Sequence, residues 1–216
     1  MPRLAIESST ENCSVALQFN ETVLTRDAVE PRAHASLILP WARELLSEAG
    51  IGFGELDSVA VGRGPGGFTS LRIGLGIIQG IALAHDLPVH PVSSLDALAI
   101  DIANHHPNRP FLALLDARMG ETYAAWYQPS ESGPERTGEE ILLAPDQLLP
   151  PEGKAWLAAG PGARQYNEVL QRAGFELPAS DQSWPSASAV LHLASTVEPV
   201  ASYELQPVYL RDQVTG

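Results

Sequence analysis

VAVGRGPGGFTSLRIGLGIIQG, Val59 to Gly80, runs from an apolar strand through a glycine-dense turn into a helix that is apolar on nearly every side. Val59 and Val61 read as the end of a strand, and Gly62, Gly64, Gly66 and Gly67 permit backbone angles and close approaches that a Cβ would block. Pro65 interrupts them, and Thr69 stands where a helix N-cap belongs. The helix then holds Gly74, Gly76 and Gly80. Each costs roughly 1 kcal/mol against alanine in a helix interior, so close packing against another backbone is expected to recover the loss.

Outward from this segment the chain reads as alternating strand and helix. Leu4 and Ile6, then Val15, Leu17 and Phe19, alternate with small or polar residues around a turn from Ser8 to Ser14 and predict a hairpin, continued by a strand from Thr22 to Arg26. Leu37, Ile38, Trp41, Leu45 and Leu46 recur at helical spacing, with Gly50 as the stop and Pro40 as a bend or late start. Val89 and Val92 predict a strand, and Ser93 or Ser94 caps a helix that HHPNRP ends. A second unit opens with FLALLDARMGETYAAWY, Phe111 to Tyr127, which repeats the hairpin pattern around a turn at Ala117 to Gly120. Gln128 to Glu140 reads as a polar surface loop, Ala155 to Ala159 as a strand, Ala163 to Ala173 and Ala187 to Ala194 as helices, and Pro207 to Arg211 as an ordered terminal segment. Two contiguous lobes are expected, residues 1–105 and 106–216.

Composition narrows the function. The 216 residues are 44% hydrophobic, enough for a full core. A net charge of −13 argues against a surface that binds nucleic acid unaided, because phosphate contacts need clustered Lys and Arg. Cys13 is the single cysteine, so no intramolecular disulfide is available and a reducing compartment is expected. The N-terminus enters a strand pattern directly, and no charge-free stretch is long enough to span a bilayer; a cytoplasmic, membrane-free protein is the expectation.

Gly62, Gly64 and Gly67 satisfy GxGxxG between a strand and a helix, which opens a dinucleotide or ATP reading of the Gly62 to Thr69 loop. Against it, hairpin strands precede the motif, no acidic residue ends the next strand, and Pro65 removes an N–H that would hold a phosphate. The lysine-bearing phosphate loop is absent. The six histidines form no HxxxH or HExxH pattern, and His34 at a helix start reads as a solvated or capping residue. Glu7 and Asp116 each close an apolar strand in equivalent hairpins. They are candidates for acid–base work at a cleft mouth, or equally for turn capping.

Five blocks occur in order: IESSTENCSVAL at Ile6 to Leu17, PRAHASLILP at Pro31 to Pro40, GRGPGGFTSLRIG at Gly62 to Gly74, LDARMGETY at Leu115 to Tyr123, and PVYLR near the end. Together they resemble the TsaB (YeaZ) family. The resemblance implies an α/β fold of the actin-like ATPase (ASKHA, ribonuclease H-like) class with two lobes. It implies a non-catalytic scaffold or regulatory subunit, required with a TsaD paralogue and a TsaE-type ATPase to place the N6-threonylcarbamoyl group on adenosine 37 of tRNAs that read codons beginning with A. A homodimer when the partner is absent and a nucleotide at the joint interface fit the same picture, with no cofactor of its own. The sequence departs from the family pattern at Glu7, where Asp is commoner, and at Gly67 and Ser70, where Ser and Gly are usual. The first leaves Glu7 and Asp116 as at most a vestigial phosphate site. PVHPVSSLDALA, Pro88 to Ala99, looks like the region where the catalytic paralogue holds its metal, and there Ser94 and Leu98 stand at the two ligand positions. Neither an alcohol nor an alkyl group replaces an imidazole on a transition metal, so no metal is expected and a glycoprotease reading fails.

The helix from Leu71 to Ala84 has Arg72 and Gln79 as its only strongly polar positions and must be covered on more than one face. Ile73, Gly76, Ile77, Gly80 and Ala84 form a stripe with a shallow glycine groove. Either the chain's own helix around Leu37 and Trp41 fills that groove, or the two helices together present a bundle-forming surface to a partner. The glycine-loop residues Gly62, Gly64, Pro65, Gly66, Phe68, Thr69 and Arg72 lead into that helix.

Overall fold

In the computed structural model, which describes residues 1–211, the chain divides into two compact units. Met1–Ala97 and Pro185–Val208 form the first; Leu98–Trp184 and the chain from Tyr209 form the second. The expected cut after residue 105 placed all later residues in the second lobe. Contact along the chain instead divides it within one helix, and returns residues 185–208 to the first unit.

The first unit is built on a five-stranded sheet. Its strands are β1 (Arg3–Glu7), β2 (Asn12–Phe19), β3 (Thr22–Val29), β4 (Ser58–Gly62) and β5 (Val89–Val92), in the order β3-β2-β1-β4-β5. β1, β2 and β3 are an antiparallel meander, and β4 and β5 are parallel to β1, with Ile6 opposite Val15 on one side and Val61 on the other. Strict alternation sends Leu4, Ile6, Val15, Leu17, Val59 and Val61 into one core with α1 (His34–Ala49) and α2 (Phe68–His85). The opposite face meets α6 (Ala187–Ala194), whose Ala187 N–H donates to Ser14 Oγ while Asn12 Nδ2 donates to Pro185 O.

α1 continues through Pro40. That residue is exposed and the helix starts six residues before it, so Pro40 does not mark a late start. Gly50 ends the helix at φ 71°, its N–H returned to Leu46 and Ser47. His34 is buried rather than solvated, and its Nε2 has no hydrogen-bond partner.

The second unit repeats the strand order with one strand fewer. β6 (Phe111–Arg118), β7 (Glu121–Ser130), β8 (Gly133–Leu143) and β9 (Leu157–Ala159) lie in the order β8-β7-β6-β9, again a meander plus a parallel strand. The expected surface loop from Gln128 to Glu140 is the end of β7 and most of β8. Its polar and proline-bearing sequence belongs to an exposed edge strand, where one side of the backbone needs no partner, and Gly138 at φ 89° lies within a register shift opposite Ala124 and Trp126. Trp126 packs edge-on to Trp156 and stacks on Phe175 over the core of this unit. α3 (Ser94–His105) opens with Ser93 Oγ accepting from the N–H groups of Leu95 and Asp96. The helix expected from Ala163 to Ala173 is two short ones, α4 (Pro161–Gln165) and α5 (Asn167–Arg172), broken at Tyr166.

Candidate functional site

The glycine segment is held by the first hairpin rather than open to a ligand. β4 ends at Gly62, where a Cβ would stand 1.8 Å from Glu7 Oε2. The Arg63 N–H donates to Val92 O, the Gly64 N–H to Ser94 Oγ, and the Gly67 N–H to Ser9 O at 2.7 Å. A Cβ on Gly66 would meet Ser9 O at 2.4 Å, and one on Gly74 would meet Ser8 Oγ at 2.2 Å. The Ser8–Ser9 turn thus occupies the hollow that the loop and the start of α2 enclose, and Ser8 Oγ donates to Ser70 O. Three amides that a phosphate would need are spent inside the protein, and Pro65 has none, so the loop does not fit a nucleotide phosphate. The helix begins at Phe68 after Gly67, not at Thr69, and no side chain caps it; Thr69 is exposed within the first turn.

Glu7 lies at the centre of this packing. It is wholly buried, against the expectation of a cleft-facing carboxylate. Oε1 accepts from the Ser9 N–H at 2.6 Å and Oε2 from Ser94 Oγ at 2.9 Å. Burial raises its pKa above the ordinary 4.5, and the hydrogen bonds from Ser9, Ser94 and Ser8 offset only part of that. Burial, and secondarily the charge of Glu7, pushes the Cys13 thiol up to about 12, which leaves it unreactive. Ser94, expected as a helix cap or a lost metal ligand, therefore has a structural duty that its separation of 87 residues from Glu7 conceals in the sequence.

Asp116 is placed differently, in the second unit at the end of β6. Its Oδ1 accepts from the Arg118 N–H and from Tyr166 Oη, and Oδ2 pairs with Arg118 Nη1 at 3.1 Å. Turn capping is what this geometry provides. Leu98 packs within the second unit, where it would touch a Cβ placed on Gly160. Among the described residues no three His, Cys, Asp or Glu side chains converge in a way that could hold a metal ion.

The remaining candidates lie on the helical face of the first unit. α2 buries Leu71, Gly74, Leu75, Ile78, Ile81 and Ala82, while Gly76, Gly80 and Ala84 are exposed and Ile73 and Ile77 only partly covered. Nothing lies within 4 Å of a Cβ built on Gly76 or Gly80, so α1 does not fill the groove there. Leu37 and Trp41 of α1 are partly buried against the same core. At one end of α2 the Arg72 guanidinium lies 3.8 Å from the centre of the exposed Phe68 ring. Near the other, Leu83 is 75% exposed, and Gln79 Nε2 donates to Ser202 O and Leu205 O, holding the segment that carries the exposed Tyr203. The sequence reading passed over Leu83, which lies seven residues beyond Gly76 on the same face of the helix, and Tyr203, which is distant in the chain. α2 is long and apolar enough to cross a bilayer by length and composition, but its Leu71, Leu75, Ile78, Ile81 and Ala82 belong to the core of the first unit.

Comparison with known proteins follows the same lines. Residues 23–197 match the family model described as TsaD, tRNA N6-adenosine threonylcarbamoyltransferase. The tRNA threonylcarbamoyladenosine biosynthesis protein TsaB of Escherichia coli (strain K12) is 36% identical over 98% of this chain and 95% of that protein, and the protein of the same name from Haemophilus influenzae is 34% identical over 98% and 94%. The solved structure of YeaZ from Pseudomonas aeruginosa superimposes with a TM-score of 0.87 at 36% identity, covering 97% of this chain and 99% of that one. The fold is mixed α/β, built on a five-stranded and a four-stranded sheet. With a fold and more than a third of its residues shared over nearly the whole of each chain, this chain belongs to the TsaB (YeaZ) family.

Proposed function

We propose that this chain serves the biosynthesis of threonylcarbamoyladenosine in tRNA as a cytoplasmic, non-catalytic subunit that supports a TsaD-type transferase together with a TsaE-type ATPase, on adenosine 37 of tRNAs reading codons that begin with A. The names of its relatives support the pathway. What carries the subunit reading is the bare face of α2, where Ile73, Gly76, Ile77, Gly80 and Ala84, flanked by Leu37 and Trp41, leave a groove with open space above both glycines. A helix from the paralogue, or from a second copy when the paralogue is absent, would approach closely there and bury the stripe. The spent amides of the Gly62 to Gly67 loop speak against the rival reading of an ATP- or dinucleotide-binding enzyme. Glu7 and Asp116 are then relics of a phosphate site that act as packing and turn residues.

The test is Gly76→Leu, or Gly80→Leu. Open space at both positions means that the monomer keeps its circular dichroism and its melting temperature. Association with the TsaD-type subunit, followed by size exclusion and calorimetry, is expected to weaken at least ~100-fold, the loss of a central contact worth about 3 kcal/mol. Association that survives unchanged would overturn the docking proposal.

A further inference from the structure

A cavity of about 390 Å³ lies in the second unit, lined by α4, α5 and the segment that follows them, residues 177–181. That segment is tied down at both ends. At one end Glu176 bridges to the sheet beside β9, its N–H donating to Trp156 O while the Ala158 N–H donates to Glu176 O. At the other, the Asp181 carboxylate accepts from the Gly160 N–H, the Ser183 N–H and Arg164 Nη1. The same guanidinium donates to Asp181 O and Ser183 O and lies over the Trp184 ring. The space is thus framed by β9, α4 and a segment bonded to both.

The lining has two kinds of surface. Ala158, Ala163, Leu177 and Pro178 give it an apolar part against which a flat ring can lie. Asn167, Gln171 and Ser180 give it hydrogen-bonding groups, and the two amides stand four residues apart on one face of α5. None of these three side chains bonds to another of the described residues. Arg164 and Asp181 are the only charged residues of the lining, and they pair at 3.3 Å, with the Asp181 side chain 4% exposed.

We propose that this cavity binds the uncharged base of a free nucleoside through the amides of Asn167 and Gln171. A primary amide sets a donor beside an acceptor, which matches the adjacent amino group and ring nitrogen of adenine. Arg164 and Asp181 already satisfy each other, and the Gly160 N–H is spent on Asp181, so the cavity offers a phosphate no anchor. The net charge of −13 selects a free nucleoside over an RNA strand. The site belongs to the second unit and owes nothing to the docking face of α2.

Calorimetry of the whole chain with adenosine provides the test. An uncharged ligand of this size, held by a few hydrogen bonds, is expected to bind with a Kd on the order of 0.1 mM. Asn167→Ala and Gln171→Ala each remove one amide from an exposed position, and each is expected to weaken binding about five-fold without lowering the melting temperature. Glu168→Ala, on the same helix but outside the lining, is expected to bind adenosine as the native chain does. ATP is expected to bind no more tightly than adenosine. Failure to saturate at millimolar adenosine overturns the site, as does binding that both amide variants leave unchanged. A preference of about ten-fold or more for ATP or for a short oligoadenylate also overturns it, because phosphates would then be recognised.

Discussion

In the hairpin of β1 and β2, the strand-end carboxylate of Glu7 is sealed from water and satisfied by Ser9 and Ser94. In the hairpin of β6 and β7, that of Asp116 reaches solvent and pairs with Arg118, whose side chain is 70% exposed. The two hairpins open sheets of the same strand order, and each carboxylate follows an apolar strand. What separates them is what lies above the turn. Over the first, a glycine loop descends until Gly62 and Gly66 would collide with Glu7 and Ser9 if they carried a Cβ. Over the second, Gly160 and Gly162 approach the strand no further than Leu114 and Leu115, and nothing comes within 4 Å of a Cβ built on Gly120 in the turn itself. The same local pattern therefore becomes a packing core in one unit and a presented turn in the other.

That contrast breaks most sharply at the glycines. Gly62→Ala drives a methyl group into a carboxylate held by two hydrogen bonds, and is expected to destabilise the chain by about 3 kcal/mol, measured by denaturant unfolding. Gly120→Ala meets open space and pays only for its φ of 80°, about 1 kcal/mol. Equal effects at the two positions would mean that the first loop is less tightly seated than the hydrogen bonds imply.

Glu7 supplies the next effect. Its pKa is raised in the folded chain, so the native state holds the proton to higher pH than the unfolded one does. Stability contributed at this site is therefore present below the ordinary value of about 4.5 and is lost as pH climbs through the folded pKa. Glu7→Gln keeps an acceptor for the Ser9 N–H and removes the charge. We expect it to raise the melting temperature at pH 8 by about 2–4 °C, roughly 1 kcal/mol, with the gain vanishing at acid pH. A variant less stable at pH 8 would show that the ionised carboxylate is better compensated than its partners indicate. The smallest effect belongs to Asp116→Asn, which keeps the acceptor for the Arg118 N–H and loses one partly exposed ion pair, at a cost of about 0.5 kcal/mol or less. In 0.5 M salt that difference should shrink further.

The edge strand β8 shows where the sequence is hard to read. Pro134, Gly138 and the charges from Glu135 to Glu140 carry every mark of a loop, because an edge strand with solvent on one side escapes the alternation that marks a covered one. The covered strands β1, β2, β4, β6 and β7 were legible from their apolar residues and the turns between them, and α1 from its helical spacing. The glycine stripe on α2 was legible too, and with it the face that we assign to a partner. The return of residues 185–208 to the first sheet, by contrast, leaves no local trace, since the small and apolar residues of α6 would suit either core.

Sequence by itself determined the family, the alternation of strand and helix, the hairpin that opens each unit, the absence of a disulfide, and the need for close approach around Gly62 to Gly74. These follow from side-chain periodicity, from the freedom that glycine gives a backbone, and from motifs local in the chain. Only the tertiary structure decided which glycines answer to the protein's own interior and which to the outside. Gly62, Gly66 and Gly74 face Glu7, Ser9 and Ser8 from more than 50 residues away, while Gly76 and Gly80, two and six residues beyond Gly74 on the same helix, face open space. A missing Cβ signals room for a neighbour, and the neighbour's identity depends on contacts between distant segments that no local pattern encodes.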